Sequence, residues 1–182
     1  MKINFLILSL MFIFAAPLAA ESDWDASNHK IQEAVDRGDL VSAVKAAESS
    51  VEIARSAFGE KHINVADSKN NLANLYLLQN RFDEAEKLYK EGILIENELR
   101  PESIGLADSL FNLSMLYAST GRYPQAAEYV KKSLAIKEKA LGAEDPAVLK
   151  LREMLKTIEG EQKKKEALEA EQAGPDAGKK VS

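Results

Sequence analysis

The chain has 182 residues, a net charge of −5 and no cysteine. Without cysteine it forms no disulfide, carries no thiolate nucleophile and builds no cysteine-type zinc site. A mildly acidic chain lacking a basic stripe is a poor match for nucleic acid or an anionic membrane surface, and its length is that of one ordinary domain.

Residues 1–20 have the layout of a secretory signal peptide. Lys2 supplies a positive charge, Ile3 to Ala16 is almost entirely apolar, and Pro17-Leu18-Ala19-Ala20 ends in small residues before the polar Glu21-Ser22-Asp23. Cleavage is expected after Ala20. The alternative is an uncleaved anchor. The apolar run is shorter than the ~20 residues that span a bilayer, and Asn4, Ser9 and Pro17 interrupt it. The short apolar core with one basic residue favours bacterial export, with the periplasm or the medium as destination and no membrane insertion once the segment is removed. On a eukaryotic route Asn112-Leu113-Ser114 would be a glycosylation acceptor, but its place inside an expected helix argues against use.

From residue 24 onward the sequence repeats. Val65-Ala66-Asp67-Ser68, Asn71-Leu72-Ala73-Asn74-Leu75-Tyr76 and Asn80-Arg81-Phe82-Asp83-Glu84-Ala85 return 41 positions later as Leu106-Ala107-Asp108-Ser109, Asn112-Leu113-Ser114-Met115-Leu116-Tyr117 and Gly121-Arg122-Tyr123-Pro124-Gln125-Ala126. A fixed period of this size marks a solenoid, whose units bury their apolar faces only against neighbours. Leu72, Leu75 and Tyr76, then Phe82, Ala85, Leu88, Tyr89 and Ile93, fall at helical spacing, so each unit is two antiparallel helices meeting at Asn80-Arg81 or Gly121-Arg122. An earlier copy has Gly38-Asp39-Leu40 and Ala43 at the second-helix positions, but a degenerate first helix with Lys30, Ile31 and Ala34 in place of Leu72, Ala73 and Tyr76. After Asp145-Pro146, a side-chain cap followed by a residue with no donor to lose, Val148, Leu151, Leu155 and Ile158 describe a closing helix. The expected organisation is therefore a signal segment 1–20; a domain 21–159 with repeats 24–58, 63–99 and 104–141 and a capping helix 146–159; and a charged, partly disordered tail 160–182, in which helix could continue through Ala170. Ala85 and Ala126 are expected where helices approach closely, and Tyr76 and Tyr117 between units.

These residues resemble the tetratricopeptide repeat. The resemblance lies in Asn71, Leu72, Ala73, Tyr76, Asn80, Phe82 and Ala85, and in Asn112, Leu113, Ser114, Tyr117, Gly121, Tyr123 and Ala126. The linkers Phe58-Gly59-Glu60-Lys61-His62 and Leu141-Gly142-Ala143-Glu144-Asp145-Pro146 are similar to those of the kinesin-light-chain-like, longer-repeat subclass. The resemblance implies an all-α, right-handed α-solenoid whose first helices line a concave groove that takes a partner peptide or protein. Carried over by position, the groove residues are Asp67, Asn70, Asn71, Asn74, Asp108, Phe111, Asn112 and Met115, flanked by Leu77, Leu78, Ala118 and Ser119 and preceded by Asn28, Gln32, Val35 and Asp36. Asparagines both donate to and accept from a peptide backbone. Phe111 and Met115 either offer an apolar pocket or pack against the neighbouring repeat. The slots that hold Lys and Arg in the carboxylate-gripping subclass hold Asn28, Gln32, Asn71, Asp108 and Asn112 here, so a basic or neutral segment is the expected partner.

No reaction centre is legible. His29 and His62 lie in different repeats, no serine sits in a nucleophile elbow, no glycine-rich phosphate loop occurs, and Asp83-Glu84 suits a helix start. The Lys163-Lys164-Lys165 run reads as a solvated face. The expectation is a non-enzymatic interaction module with no cofactor and no metal, with a self-associating envelope subunit as the alternative and the oligomeric state open.

Overall fold

The computed structural model describes residues 21–173, and all regular structure among them is helical. The expected signal segment, residues 1–20, and the last nine residues of the tail lie outside the described part. Seven helices follow one another: α1 (21–36), α2 (Leu40–Phe58), α3 (Ile63–Leu78), α4 (Phe82–Leu99), α5 (Ile104–Ser119), α6 (Tyr123–Leu141) and α7 (Pro146–Ala173). The element expected over 146–159 thus runs on through the charged stretch to Ala173. The chain divides into two compact units, one ending at Pro101 and the other beginning at Glu102.

In the first unit α2 packs on α3 and α3 on α4. Ala54, Val65, Ala66 and Ile95 form a buried cluster, with Trp24, Phe58 and Ile63 packed against it. The degenerate α1 is tied in by polar contacts as well as by buried Ile31 and Ala34. Trp24 Nε1 donates to Ser68 Oγ at 2.7 Å, and Ser50 Oγ donates to Asn28 Oδ1 at 3.1 Å. Tyr76, 8% exposed, spans from α3 to α2, its hydroxyl donating to Glu48 at 2.9 Å. In the second unit α5 packs on α6 and α6 on α7. Leu106, Leu113, Leu116, Val130, Val148, Leu151 and Ile158 are buried. Tyr117, 3% exposed, lies against Tyr129 with ring centroids 5.4 Å apart. Ala85 and Ala126 have no exposed surface.

The turn inside each helix pair is the same device three times. Asn80 N–H bonds to Leu77 O and Arg81 N–H to Tyr76 O; Gly38 and Asp39 repeat these bonds to Val35 and Ala34, and Gly121 and Arg122 to Ala118 and Tyr117. Paired bonds of this kind terminate a helix with its next residue in the left-handed region. That residue is Gly38 (φ 71°), Asn80 (φ 59°) and Gly121 (φ 70°) in turn. Asparagine tolerates this region at some cost, and glycine enters it freely. Replacing Asn80 by Gly is therefore expected to raise stability by about 0.5–1 kcal/mol, whereas Gly121→Ala lowers it by about 1–2 kcal/mol; urea midpoints of the two variants check the opposite signs. Beside two of these turns an arginine stacks on the preceding tyrosine, Arg81 at 3.7 Å from the Tyr76 ring centre and Arg122 at 4.5 Å from that of Tyr117.

First helices of the pairs begin with capped N-termini. His62 Nδ1 accepts from Asn64 N–H at 3.2 Å, Ser103 Oγ from Leu106 N–H at 3.1 Å, and Asp145 Oδ1 from Ala147 N–H at 2.8 Å. The caps satisfy donors that helix geometry leaves without partners. They fix where α3, α5 and α7 start, and hence which residues share a face.

Candidate docking face

On α3, Asp67, Asn71, Asn74 and Leu78 are separated by four, three and four residues. At about 100° per residue they fall within an arc of about 60°. Lys69, Leu72 and Tyr76 lie about 130–190° further round the same helix and pack toward α2 and α4. The corresponding stripe on α5 is Asp108, Asn112, Met115 and Ser119.

The structure separates the expected groove residues into three groups. Asn71 and Leu78 on α3, and Asp108, Met115 and Ser119 on α5, are exposed; Leu78 is 61% and Met115 37% exposed, far more than packed residues of their kind. Asn112, Phe111, Leu77 and Ala118 are half-buried. Among the described residues, the side chains of Asn71 and Asn112 make no hydrogen bond within the chain. Asn74 forms the second group, reaching outward while holding an internal partner, and Asp108 shares that trait although it is exposed. Tyr89 donates its hydroxyl to Asn74 Oδ1, and Asp108 pairs with Lys137 Nζ at 2.6 Å. Asn70 stands alone in the third. It is 8% exposed, its Nδ2 is 3.4 Å from Glu96 Oε2, and it occupies the seam between α3 and α4 rather than a surface. On α1, Asn28 is used by Ser50 and Gln32 Nε2 donates to Asp36 at 2.7 Å, while Val35 is exposed.

Asp67 is half-buried, and burial pushes its carboxyl above the usual range, outweighing the opposing pull of Arg100 and His62. A carboxylate whose pKa is raised on folding costs stability above the unfolded-state pKa, and the cost is relieved as pH falls through the folded-state value. Asp67→Asn is therefore expected to stabilise the chain at pH 7, with the gap over the parent closing as pH is lowered through the carboxylate range. Thermal melts of both proteins from pH 7 to pH 3 check this; a constant gap contradicts it.

On the other side of α3 a cleft of about 530 Å³ lies over Val51, Leu72 and Leu88, rimmed by charged residues of α2 and α4. Its charges are settled internally: Lys69 pairs with Glu91 at 2.8 Å, Arg55 with Glu52 and Glu60, and Glu48 accepts from Tyr76. Among the described residues no group of three or more His, Cys, Asp or Glu is placed to hold a metal ion, and no helix is long and apolar enough to cross a membrane.

Sequence reading missed the partners of the stripe residues. Lys137 and Tyr89 sit on second helices, whose inward residues were assigned to packing alone. A 41-residue comparison finds neither, because Lys137 is matched by Glu96 and Tyr89 by Val130, although it does find a pair away from the stripes. Lys61 pairs with Glu98 at 2.8 Å, and the matched positions Glu102 and Lys139 pair with the signs reversed.

The fold and its repeated faces define a helical-repeat interaction module. Models of the tetratricopeptide repeat match residues 34–95 and 106–147, and the chain belongs to the tetratricopeptide-repeat family. Comparison with curated proteins gives no match. Among solved structures, it is similar to the nearly identical TPR-like repeats of a Podosopora anserina protein of kinesin-light-chain type, at 24% identity and a TM-score of 0.67, over 84% of this chain and 72% of that one. The N-terminal domain of stress-induced protein-1 from C. elegans gives 18% identity and a TM-score of 0.57, over 80% and 98%. The TPR2B domain of yeast Sti1, solved as a complex with pHsp70, gives 13% and 0.60, over 76% and 98%. At these identities the likeness is one of fold.

Proposed function

We propose that the chain is an exported, non-enzymatic adaptor that binds a partner peptide or protein along the outward stripes of α3 and α5. One observation carries the reading. Asn71 and Leu78 on α3, and Asn112 and Met115 on α5, each lie on the outward stripe of their own helix with surface or hydrogen-bonding groups unspent, while the opposite side of the same helix is packed. Unspent amides bind a peptide backbone with little demand on its sequence, and a flexible methionine adapts to irregular apolar partners. The yeast domain solved with pHsp70 supports the reading as an instance of this fold holding a partner. Residues 1–20 supply the export signal on this reading, and the mature chain begins at Glu21.

The test is a photo-crosslinking scan in the native compartment. A crosslinker at Asn71 or Met115 is expected to give the same discrete adduct, and one at Leu94, exposed on α4, none. Adducts from Leu94 alone overturn the assignment. N-terminal sequencing of the recovered protein tests export, with Met1 retained as the contrary result. The alternative is a self-associating envelope subunit, stacked through the open ends of the repeat array or through α7; of the three apolar residues of α7 it would use, Leu151 and Ile158 are buried within their own unit, which leaves Leu155 and the open ends. Sedimentation showing a concentration-dependent dimer would support it.

A further inference from the structure

The 41-residue register allows each complete helix pair to be compared with the other, residue by residue. Asp67 on α3 and Asp108 on α5 hold the same place in their stripes. Asp108 is neutralised from within its unit by Lys137 of α6, 2.6 Å away, whose side chain is only 14% exposed. The position matching Lys137 on α4 is Glu96, itself 2% exposed and in contact with Asn70 at 3.4 Å. An acid thus stands where the second unit keeps its cation. Among the described residues no hydrogen bond or ion pair reaches the Asp67 carboxylate. Arg100 and His62 act on it only by their fields. A half-buried carboxylate without a close counter-charge costs free energy, a cost that a cation brought by a ligand relieves.

We propose that Asp67 is the cation anchor of the docking face: a partner segment sets a Lys or Arg side chain against Asp67 as Lys137 is set against Asp108. The inference rests on the reading of α3 as a docking face and names the chemistry of its occupant. The same stripe fixes a second requirement. Leu78 is eleven positions further along α3, about 16 Å at about 1.5 Å per residue, and is the exposed apolar group of the stripe. An extended chain covers that distance in about five residues. The partner segment is therefore a peptide with a cation and an apolar side chain about five residues apart.

The probe is a random twelve-residue peptide library displayed on phage and panned against the purified chain. Enriched peptides are expected to carry Lys or Arg about five residues from an apolar residue. A fluorescent synthetic copy of the leading peptide is expected to bind at least about tenfold more weakly, the loss of one charge-assisted contact, when Asp67 is changed to Asn. Changing the peptide cation to Gln is expected to cost the same, with no further loss when both changes are combined. Glu128→Gln, which removes an exposed carboxylate already paired with Lys132 on α6 and outside both stripes, is expected to change affinity less than about threefold. Asp67→Asn is expected to be the more stable protein, so lost binding does not reflect unfolding. Enriched peptides without a cation, or affinity indifferent to Asp67→Asn, overturn the anchor while leaving the docking face standing. Peptides whose binding survives Asn71→Ala, Leu78→Ala and Met115→Ala together overturn both.

Discussion

Replacing Tyr89 by Ala is expected to lower the unfolding free energy by about 3–5 kcal/mol, the range for deleting a buried large side chain. Tyr89 has no exposed surface, sits on the inner side of α4, and donates its hydroxyl to Asn74 on α3. Burial raises its phenol pKa, so the group stays a neutral donor throughout the working range. The loss has two parts, which Tyr89→Phe separates. Phe keeps the ring and removes only the donor, and Asn74 is half-buried, so its carbonyl regains water. Tyr89→Phe should therefore cost about 1 kcal/mol, the ordinary net value of one hydrogen bond. Urea unfolding followed by helical circular dichroism measures both. If the Ala variant falls within about 1 kcal/mol of the parent, the α3–α4 packing described above is wrong.

The second large effect concerns Gly92, where α4 lies close against α3. A Cβ built there meets Asn70 Oδ1 at 2.6 Å and the backbone oxygen of Ala66 at 3.3 Å. The first distance is not sustainable, and Asn70 has little freedom because it is buried and bonded to Glu96. Gly92→Ala gains up to about 1 kcal/mol of helix propensity and loses about 1–3 kcal/mol or more to overpacking, so a net loss of about 1–2 kcal/mol is expected. Adding Asn70→Ala removes the 2.6 Å contact and should recover at least about 1 kcal/mol relative to additivity, the signature of neighbouring sites. Strict additivity would mean that Gly92 is there for another reason. The matched position in the second unit explains the geometry. Ser133 replaces Gly92 and donates to Ala107 O at 2.6 Å, while Phe111 replaces Asn70.

The helices were legible in the sequence because the signals that set them are local and repeated. The tyrosine and alanine positions, the Asn80 and Gly121 turns, and the Asp145-Pro146 start each follow from short-range rules of packing, turn conformation and capping. The length of α7 was less legible. Past Ile158 its apolar periodicity stops, and the helix continues on alternating charges, with Lys164 pairing Glu161 at 2.6 Å and Lys165 Nζ donating to Gly121 O at 3.1 Å. The proposed docking face was legible as a set of positions and not as a set of roles. Asn70, Asn71 and Asn74 are identical in type. What separates them is which way about 100° per residue turns each one, and what stands opposite on the next helix: Glu96 for Asn70, Tyr89 for Asn74, solvent for Asn71. Those neighbours are 15 or more positions away, beyond the reach of any local pattern. The Asp67–Asp108 contrast is the clearest case, because its cause is a lysine exchanged for a glutamate on a helix that the groove reading set aside.

The central claim is that partners lie on the α3 and α5 stripes, and the side-chain amides of asparagine report on it directly. In a ¹⁵N correlation spectrum of the chain titrated with the leading panned peptide, the amides of Asn71 and Asn112 are expected to shift in a saturable manner. That of Asn97, exposed on α4, is expected to stay fixed. Saturable movement of Asn97, with Asn71 and Asn112 unmoved, would put the partner on the second helices and contradict the account.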